Sequence, residues 1–175
     1  MAIKTIFLDR DGVINEEVNY LHKKENFKFI DGVFDACHYF QKLNYEIIIV
    51  SNQSGIARGY FSEYDYIKLT KWMLDQFKQQ NISILDTFYC PHGPDSKCHC
   101  RKPLPGMFFE AKGKYNTSMQ DSWMIGDTET DISAARSAGI SNTILVRSGH
   151  AVDELNSKAT HIINSIKESI NVIRI

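Results

Sequence analysis

Two groups of residues in this chain have the types and spacing that chemistry requires. The first is scattered along the sequence. In Asp9-Arg10-Asp11-Gly12, residues i and i+2 of an extended segment point to one side, so both carboxylates can face one site. Two such carboxylates repel unless a cation or a shared proton relieves them. Taken alone, the segment reads equally well as a solvated turn held by Asx hydrogen bonds. Ser51-Asn52-Gln53-Ser54-Gly55 offers a hydroxyl and backbone N–H groups to phosphate oxygens, or is a plain turn. Arg101 and Lys102, followed by Pro103, supply a bidentate fork and a point charge suited to phosphate, although an isolated Arg-Lys pair is more often solvated surface. Gly126-Asp127-Thr128-Glu129-Thr130-Asp131 adds carboxylates; Asp127 would stand at a site mouth, whereas Asp131 begins a helix and is read as its cap.

The second group is compact. Between Cys90 and Cys100 the chain reads Cys-x-His, five residues, then Cys-x-Cys. Three thiolates and one imidazole make a closed Cys₃His tetrahedron, the structural kind of zinc site with no open position for water. Cys90, His92, Cys98 and Cys100 are the expected zinc ligands, with His99 a bystander. Uneven cysteine placement and the lack of a secretion signal argue against a disulfide framework and for a metal in a reducing cytoplasm. Cys37 lies in an apolar stretch and is expected to be a buried small side chain. Because the loop runs straight into Arg101 and Lys102, zinc is expected to fix these cations without touching a reaction.

The elements between these groups must bring them together. Strands are expected at Ile3–Leu8, Tyr45–Val50, Ile82–Tyr89, Ser122–Ile125, Asn142–Val146 and His161–Ile163. Helices are expected from Asp31 to Leu43, from a Ser62 cap to about Gln80, near Pro105 to Tyr115, and from Asp131 to Ala138. Trp72, Met73 and Phe77 then fall at helical spacing as core. This alternation gives an α/β fold class, a Rossmann-like three-layer α/β/α arrangement with a mainly parallel sheet. One domain over residues 1–175, with its zinc-binding loop at 90–100, is expected, since no repeat or linker divides the chain. In such sheets ligands bind beyond the carboxyl ends of the strands. The scattered segments follow the first four expected strands, and the resulting carboxylates, hydroxyl and cation suit Mg²⁺, which takes few carboxylates and shares its shell with phosphate and water.

Composition removes other classes. The 175 residues carry a formal charge of −1, so no basic excess supports nucleic-acid binding. No apolar run approaches the ~20 residues of a membrane span, and the first apolar run is too short and too early for a signal peptide. A cytoplasmic monomer is the default expectation. His22, His38, His150 and His161 are scattered and are expected to be surface or hydrogen-bonded side chains rather than ligands.

DRDGVIN, VSNQSG, RKP and GDTETD resemble the four ordered motifs of the haloacid dehalogenase (HAD) superfamily phosphatases and span most of the chain. The resemblance implies a nucleophile at Asp9 that forms an aspartyl-phosphate, and an acid/base at Asp11 that protonates the leaving alkoxide and then takes a proton from water. It implies Mg²⁺ held by Asp9, Asp127 and the main-chain carbonyl of Asp11, with Ser51 and Lys102 facing the equatorial oxygens. No separate cap domain is expected; Gly12 to Phe29 and the zinc loop are the only candidates for cover. Two subfamilies combine these motifs with such a zinc loop, the heptose bisphosphate phosphatases and the histidinol-phosphatases. NQSGIARGYF and CRKPLPGMFFEA resemble the former, which implies substrate contacts from Glu17, Val18, Asn19, Tyr20, Ser51, Asn52, Gln53, Ser54, Arg101 and Lys102. Two departures stand out: the His92 to Cys98 spacing is short, as in histidinol-phosphatases, and Thr128 stands where the heptose subfamily often has Lys. Arg58, placed with Arg101, is either a holder of a second phosphate or a solvated loop residue. The function implied is Mg-dependent removal of the C7 phosphate of D-glycero-D-manno-heptose 1,7-bisphosphate in surface-polysaccharide precursor synthesis. The alternatives are a histidinol-phosphate phosphatase and, from another class, a non-catalytic, zinc-organised phosphosugar-binding module.

Overall fold

Ile47, Ile48, Ile49 and Val50 are all buried, a run apolar on both faces that belongs in the middle of a covered sheet. The structure, a computed structural model, describes residues 1–174. Among these, six strands form one sheet: β1 (Thr5–Leu8), β2 (Glu46–Asn52), β3 (Asp86–Cys90), β4 (Trp123–Gly126), β5 (Asn142–Val146) and β6 (His161–Ile163). Their order is β3-β2-β1-β4-β5-β6, and every pairing is parallel.

Side chains alternate across the strands and divide the core in two. Ile6, Leu8, Ile47, Ile49 and Ile125 pack on one face with α1 (Val33–Lys42) and α2 (Glu63–Gln79), through Cys37, Phe40, Met73 and Phe77. Phe7, Ile48, Val50 and Met124 pack on the other with α3 (Gly106–Tyr115) and α4 (Glu129–Ser137), through Phe108, Ala111, Ala134 and Ala135. These are the three layers the alternation predicts. Cys37 is fully buried, and that burial pushes its thiol up, as an inert core residue requires. No helix among the described residues is long and apolar enough to cross a membrane.

Two element starts differ from the sequence reading for local reasons. β3 starts at Asp86 rather than Ile82, because Ile82 N–H still bonds back to Phe77 O at the exit of α2. α2 itself begins where expected, with the Ser62 hydroxyl accepting from Asp65 N–H and the Asp65 carboxylate accepting from Ser62 N–H, a reciprocal capping box. α4 starts at Glu129 with Thr128 as its cap, so Asp131 is the third helical residue and not the cap. The tail contributes a further surprise: a 3₁₀ turn at Ile166–Asn171 delivers Ile166 and Ile173 into the α1 face of the core.

Register sets the strand ends level. Leu8 pairs with Ile49 on one side and with Ile125 on the other, so Asp9 emerges between Val50 and Gly126. Asn52 pairs with Cys90, which places the start of the cysteine loop beside the end of β2.

Candidate active site

β1 sits where the strand order reverses, with β2 on one side and β4 on the other, and the loops leaving them part to leave a crevice. A cavity of about 290 Å³ opens there, with Asp9, Asp11, Asp127 and Lys102 on its floor. Asp9, the first residue beyond β1, is buried. Lys102 Nζ donates to Asp9 Oδ1 at 2.9 Å and to Val50 O at 2.7 Å, and pairs with Asp131 Oδ1 at 2.6 Å. The other Asp131 oxygen accepts from the backbone N–H of Asp127 and of Thr128, both at 3.1 Å. Both oxygens of Asp131 are thus engaged by the fold.

Ligand atoms of Asp9, Asp127 and Asp131 lie within 4.8 Å of one another, and all three residues are buried. Such crowding has an electrostatic consequence. Burial pushes the Asp9 carboxyl up, Asp131 pushes it further, and Lys102 only partly opposes them. Asp127 is raised by the same two causes, burial first and Asp131 second, against hydrogen bonds from His150. Burial alone would depress the Lys102 ammonium, but Asp131 and Asp9 outweigh it and hold the charge firmly on. One ammonium therefore pairs with two of three clustered carboxylates in a desolvated place. That donor set fits a hard divalent cation, which oxygen ligands and partial burial favour. Since both Asp131 oxygens are occupied, Asp9 and Asp127 are the carboxylates best placed to meet it. Two glycines make room: a Cβ at Gly12, where φ is +85°, or at Gly149 would collide with the Asp127 carboxylate.

The Asp11 carboxylate stands outside this cluster, consistent with a reading in which only its backbone carbonyl reaches the cation. It accepts from Arg10 Nη2 at 3.0 and 3.1 Å, from Asn15 Nδ2 at 3.0 Å and from Gln53 Nε2 at 3.2 Å. The Ser51 hydroxyl is buried and accepts from Gln53 Nε2 at 2.6 Å, so it lies beneath the cavity surface rather than on it. The Asn52 amide exchanges two 3.0 Å hydrogen bonds with the Lys102 backbone, Nδ2 to O and N–H to Oδ1. This clamp ties the end of β2 to the cation-bearing loop, although Asn52 also lines the cavity.

Glu17, Val18, Asn19, Tyr20, Gln53, Ser54, Arg101 and Thr128 all line the cavity. Tyr20, at φ +57°, is half-exposed and packs against Tyr60 with ring centroids 4.5 Å apart and the rings tilted by 58°. Arg58 does not line the cavity. Its turn closes on itself through Arg58 N–H to Ser54 O and Tyr60 N–H to Gly55 O, leaving the side chain exposed with its guanidinium 6.0 Å from the Tyr20 ring.

Cys90, His92, Cys98 and Cys100 converge with ligand atoms within 4.8 Å of one another. His92 Nδ1 is 3.4 Å from Cys90 Sγ and 3.3 Å from Cys100 Sγ, and Cys98 Sγ is 3.7 Å from Cys90 Sγ. Cys100 Sγ is 2.8 Å from Cys90 Sγ, and the four clustered soft donors make a set that fits a structural zinc with no open position. His99 is not among them. Arg101, next after Cys100, donates to His92 O at 3.2 Å, so the ligand loop also braces this cation.

Sequence reasoning missed three participants. Asp131 is the counter-charge of Lys102 as well as part of the capping box; its spacing of one helical turn from Asp127 was the available signal. His150 is hydrogen-bonded, as read, but its partner is Asp127, through ring Nδ1 at 2.7 Å and backbone N–H at 3.0 Å, and it lines the cavity. That contact pushes the imidazole up in spite of partial burial. Arg10 is fully buried behind Asp11; alternation along a strand hides it, because i+1 points away from i and i+2.

With this geometry in hand, similarity to known proteins becomes informative. The HAD-hydrolase-like family profile matches residues 99–169. The D-glycero-alpha-D-manno-heptose-1,7-bisphosphate 7-phosphatase of Photorhabdus laumondii is 46% identical over 164 residues, 90% of each chain. The D-glycero-beta-D-manno-heptose-1,7-bisphosphate 7-phosphatase of Vibrio cholerae is 43% identical, covering 96% of this chain and 95% of its own. Among solved structures, the D,D-heptose 1,7-bisphosphate phosphatase of B. bronchiseptica, complexed with magnesium and phosphate, superposes with a TM-score of 0.85 at 28% identity, covering 97% of both chains. Identity at this level along nearly the whole length shows that the chain belongs to the heptose-1,7-bisphosphate 7-phosphatase family of HAD-like hydrolases.

Proposed function

We propose that this chain is a magnesium-dependent phosphatase that removes the C7 phosphate of D-glycero-D-manno-heptose 1,7-bisphosphate through an aspartyl-phosphate, a step of surface-polysaccharide precursor synthesis. The observation that carries the reading is the buried Asp9 carboxylate, 2.9 Å from Lys102 Nζ at the floor of the switch-point cavity, with Asp127 beside it. In this reading Asp9 attacks phosphorus, and Lys102 meets the charge on the equatorial oxygens. Asp11 gives its proton to the sugar alkoxide as the phosphorus–oxygen bond breaks, then accepts one from the water that hydrolyses the acyl phosphate. Asp9, Asp127 and the backbone carbonyl of Asp11 would hold magnesium, whose charge offsets the repulsion between an anionic nucleophile and an anionic phosphate. Glu17 to Tyr20 cover the sugar, and Arg101 faces its charged end.

A steady-state comparison tests the substrate. The kcat/KM for heptose 1,7-bisphosphate is expected to exceed that for histidinol phosphate by about 10⁴-fold, the scale on which a site that hydrogen-bonds its substrate rejects an analogue lacking those groups. A preference for histidinol phosphate would favour the reading that the short His92 to Cys98 spacing suggests. Binding of the bisphosphate without phosphate release would favour a non-catalytic module. Both anomers belong in the comparison. Relatives named for the alpha anomer stand at 46% and 47% identity, and those named for the beta anomer at 38–43%, which supports an alpha preference.

Zinc removal is the second test. Stripping the metal from the cysteine loop is expected to lower the thermal midpoint by roughly 10 °C, the equivalent of about 3 kcal/mol in a chain of this size. It should also raise KM more than it lowers kcat, since the loop braces Arg101 and leads into Lys102. A folded, zinc-free sample with full activity would overturn the structural role.

A further inference from the structure

We infer that Arg10 is a positioning residue that sets the orientation of the Asp11 carboxyl and couples it to the covering loop; this rests on the reading of Asp11 as acid and base. Arg10 is the largest fully buried side chain of the fold, at 1% exposure. A buried guanidinium is costly unless its fork is matched, so its partners are informative. Nε and Nη2 both reach Asp11 Oδ1, at 3.3 and 3.0 Å, and Nη2 also reaches Oδ2 at 3.1 Å. Nη2 in addition donates to Leu21 O at 3.1 Å, in the segment just after Tyr20. Tyr66 of α2 closes the other side, with its ring 5.8 Å from the guanidinium carbon.

Asp11 is therefore held against a rigid planar fork anchored in the core, while its outer edge faces the cavity. Asn15 and Gln53 add one donor each, but both are neutral amides; Asn15 Nδ2 also donates to Glu16 O, whereas Arg10 brings charge and reaches Leu21 O at the far end of the Glu17 to Tyr20 stretch. Proton transfer to a leaving oxygen demands a carboxyl placed within hydrogen-bond reach, and an error of about 1 Å can cost about 10²-fold in rate. The same guanidinium touches the carboxyl and the loop that would lie over the sugar. Movement of that loop and aim of the acid are thereby linked through one side chain.

The test uses leaving-group chemistry, which a merely structural role does not move. Phenyl phosphate and p-nitrophenyl phosphate present the same ring, but the nitrophenolate departs without help, whereas phenolate gains from a proton. The ratio of their kcat/KM values reports phosphoryl transfer to Asp9 and is independent of how much of a preparation is folded. In Asp11→Asn the ratio of p-nitrophenyl to phenyl is expected to rise by at least about 10-fold over wild type. Arg10→Met should raise it at least about 5-fold, and Arg10→Lys, which keeps the charge but not the fork, should fall between. If Arg10→Met is insoluble, Arg10→Lys alone decides. A wild-type ratio in the Arg10 variants, with a raised one in Asp11→Asn, would make Arg10 a packing residue and leave the acid assignment standing. A wild-type ratio in Asp11→Asn would overturn that assignment and this inference with it.

Discussion

Replacing Asp9 by Asn is expected to lower phosphate release at least about 10⁴-fold, because the amide cannot form the acyl phosphate through which turnover passes. The same variant should be more stable than wild type when magnesium is absent. In the native protein Asp9 is buried beside Asp127 and Asp131, and burial and Asp131 together hold its carboxyl well above the usual range. A raised carboxyl binds more protons folded than unfolded, so stability falls as pH rises from the ordinary carboxylate value through the raised one. Asparagine removes that loss. The thermal midpoint of wild type in magnesium-free buffer should therefore decline across this window, and that of Asp9→Asn should decline less. Magnesium should raise the midpoint of wild type more than that of the variant, since one of its carboxylates has gone. Turnover within 10-fold of wild type, or a midpoint unmoved by magnesium in both proteins, would remove Asp9 from the role given to it.

Lys102→Met is expected to have the largest effect on stability. Its ammonium lies between Asp9 and Asp131 at 2.9 and 2.6 Å and is almost fully buried. Removing one partner of a buried charge group leaves the others uncompensated, at a cost of about 3–5 kcal/mol. In a chain of this length that corresponds to roughly 10 °C or more in thermal midpoint, measured without magnesium. Magnesium should recover part of the loss, because the variant leaves a stronger negative field for a cation. Activity should still fall by at least about 10²-fold with saturating magnesium, as expected when a fixed donor to the developing charge is lost. A midpoint within about 2 °C of wild type would show that the three carboxylates tolerate one another without the ammonium.

Much of this site was legible because its parts follow strands, and strands announce themselves. YEIIIV and the other β-branched runs could only be covered strands in an alternating α/β chain, and ligand chemistry collects at their carboxyl ends. Asp9, Lys102 and Asp127, which line the cavity, were singled out in this way, and spacing alone singled out the four soft donors that cluster in the cysteine loop. Cys37 and the Ser62 cap followed from local pattern. These are properties of short segments, in which neighbours in sequence remain neighbours in space.

What escaped involves partners distant along the chain. Asp131 reads as a helix cap because the capping box is local, whereas Lys102 reaches it across 29 positions of sequence. His150 carries no spacing signal, yet the loop after β5 brings it to Asp127. Charge alone left Arg58 open between a phosphate holder and a solvated residue, and the structure adds that it stands exposed beside the cavity and does not line it. Arg10 sits between two functional carboxylates and points the other way, into a core where only packing reveals what it grips. Residue type and period dictate which elements form and where chemistry can gather. Which charges meet, and which are left to solvent, follows from sheet order and loop closure, since burial and proximity exist only once distant segments have been brought into contact.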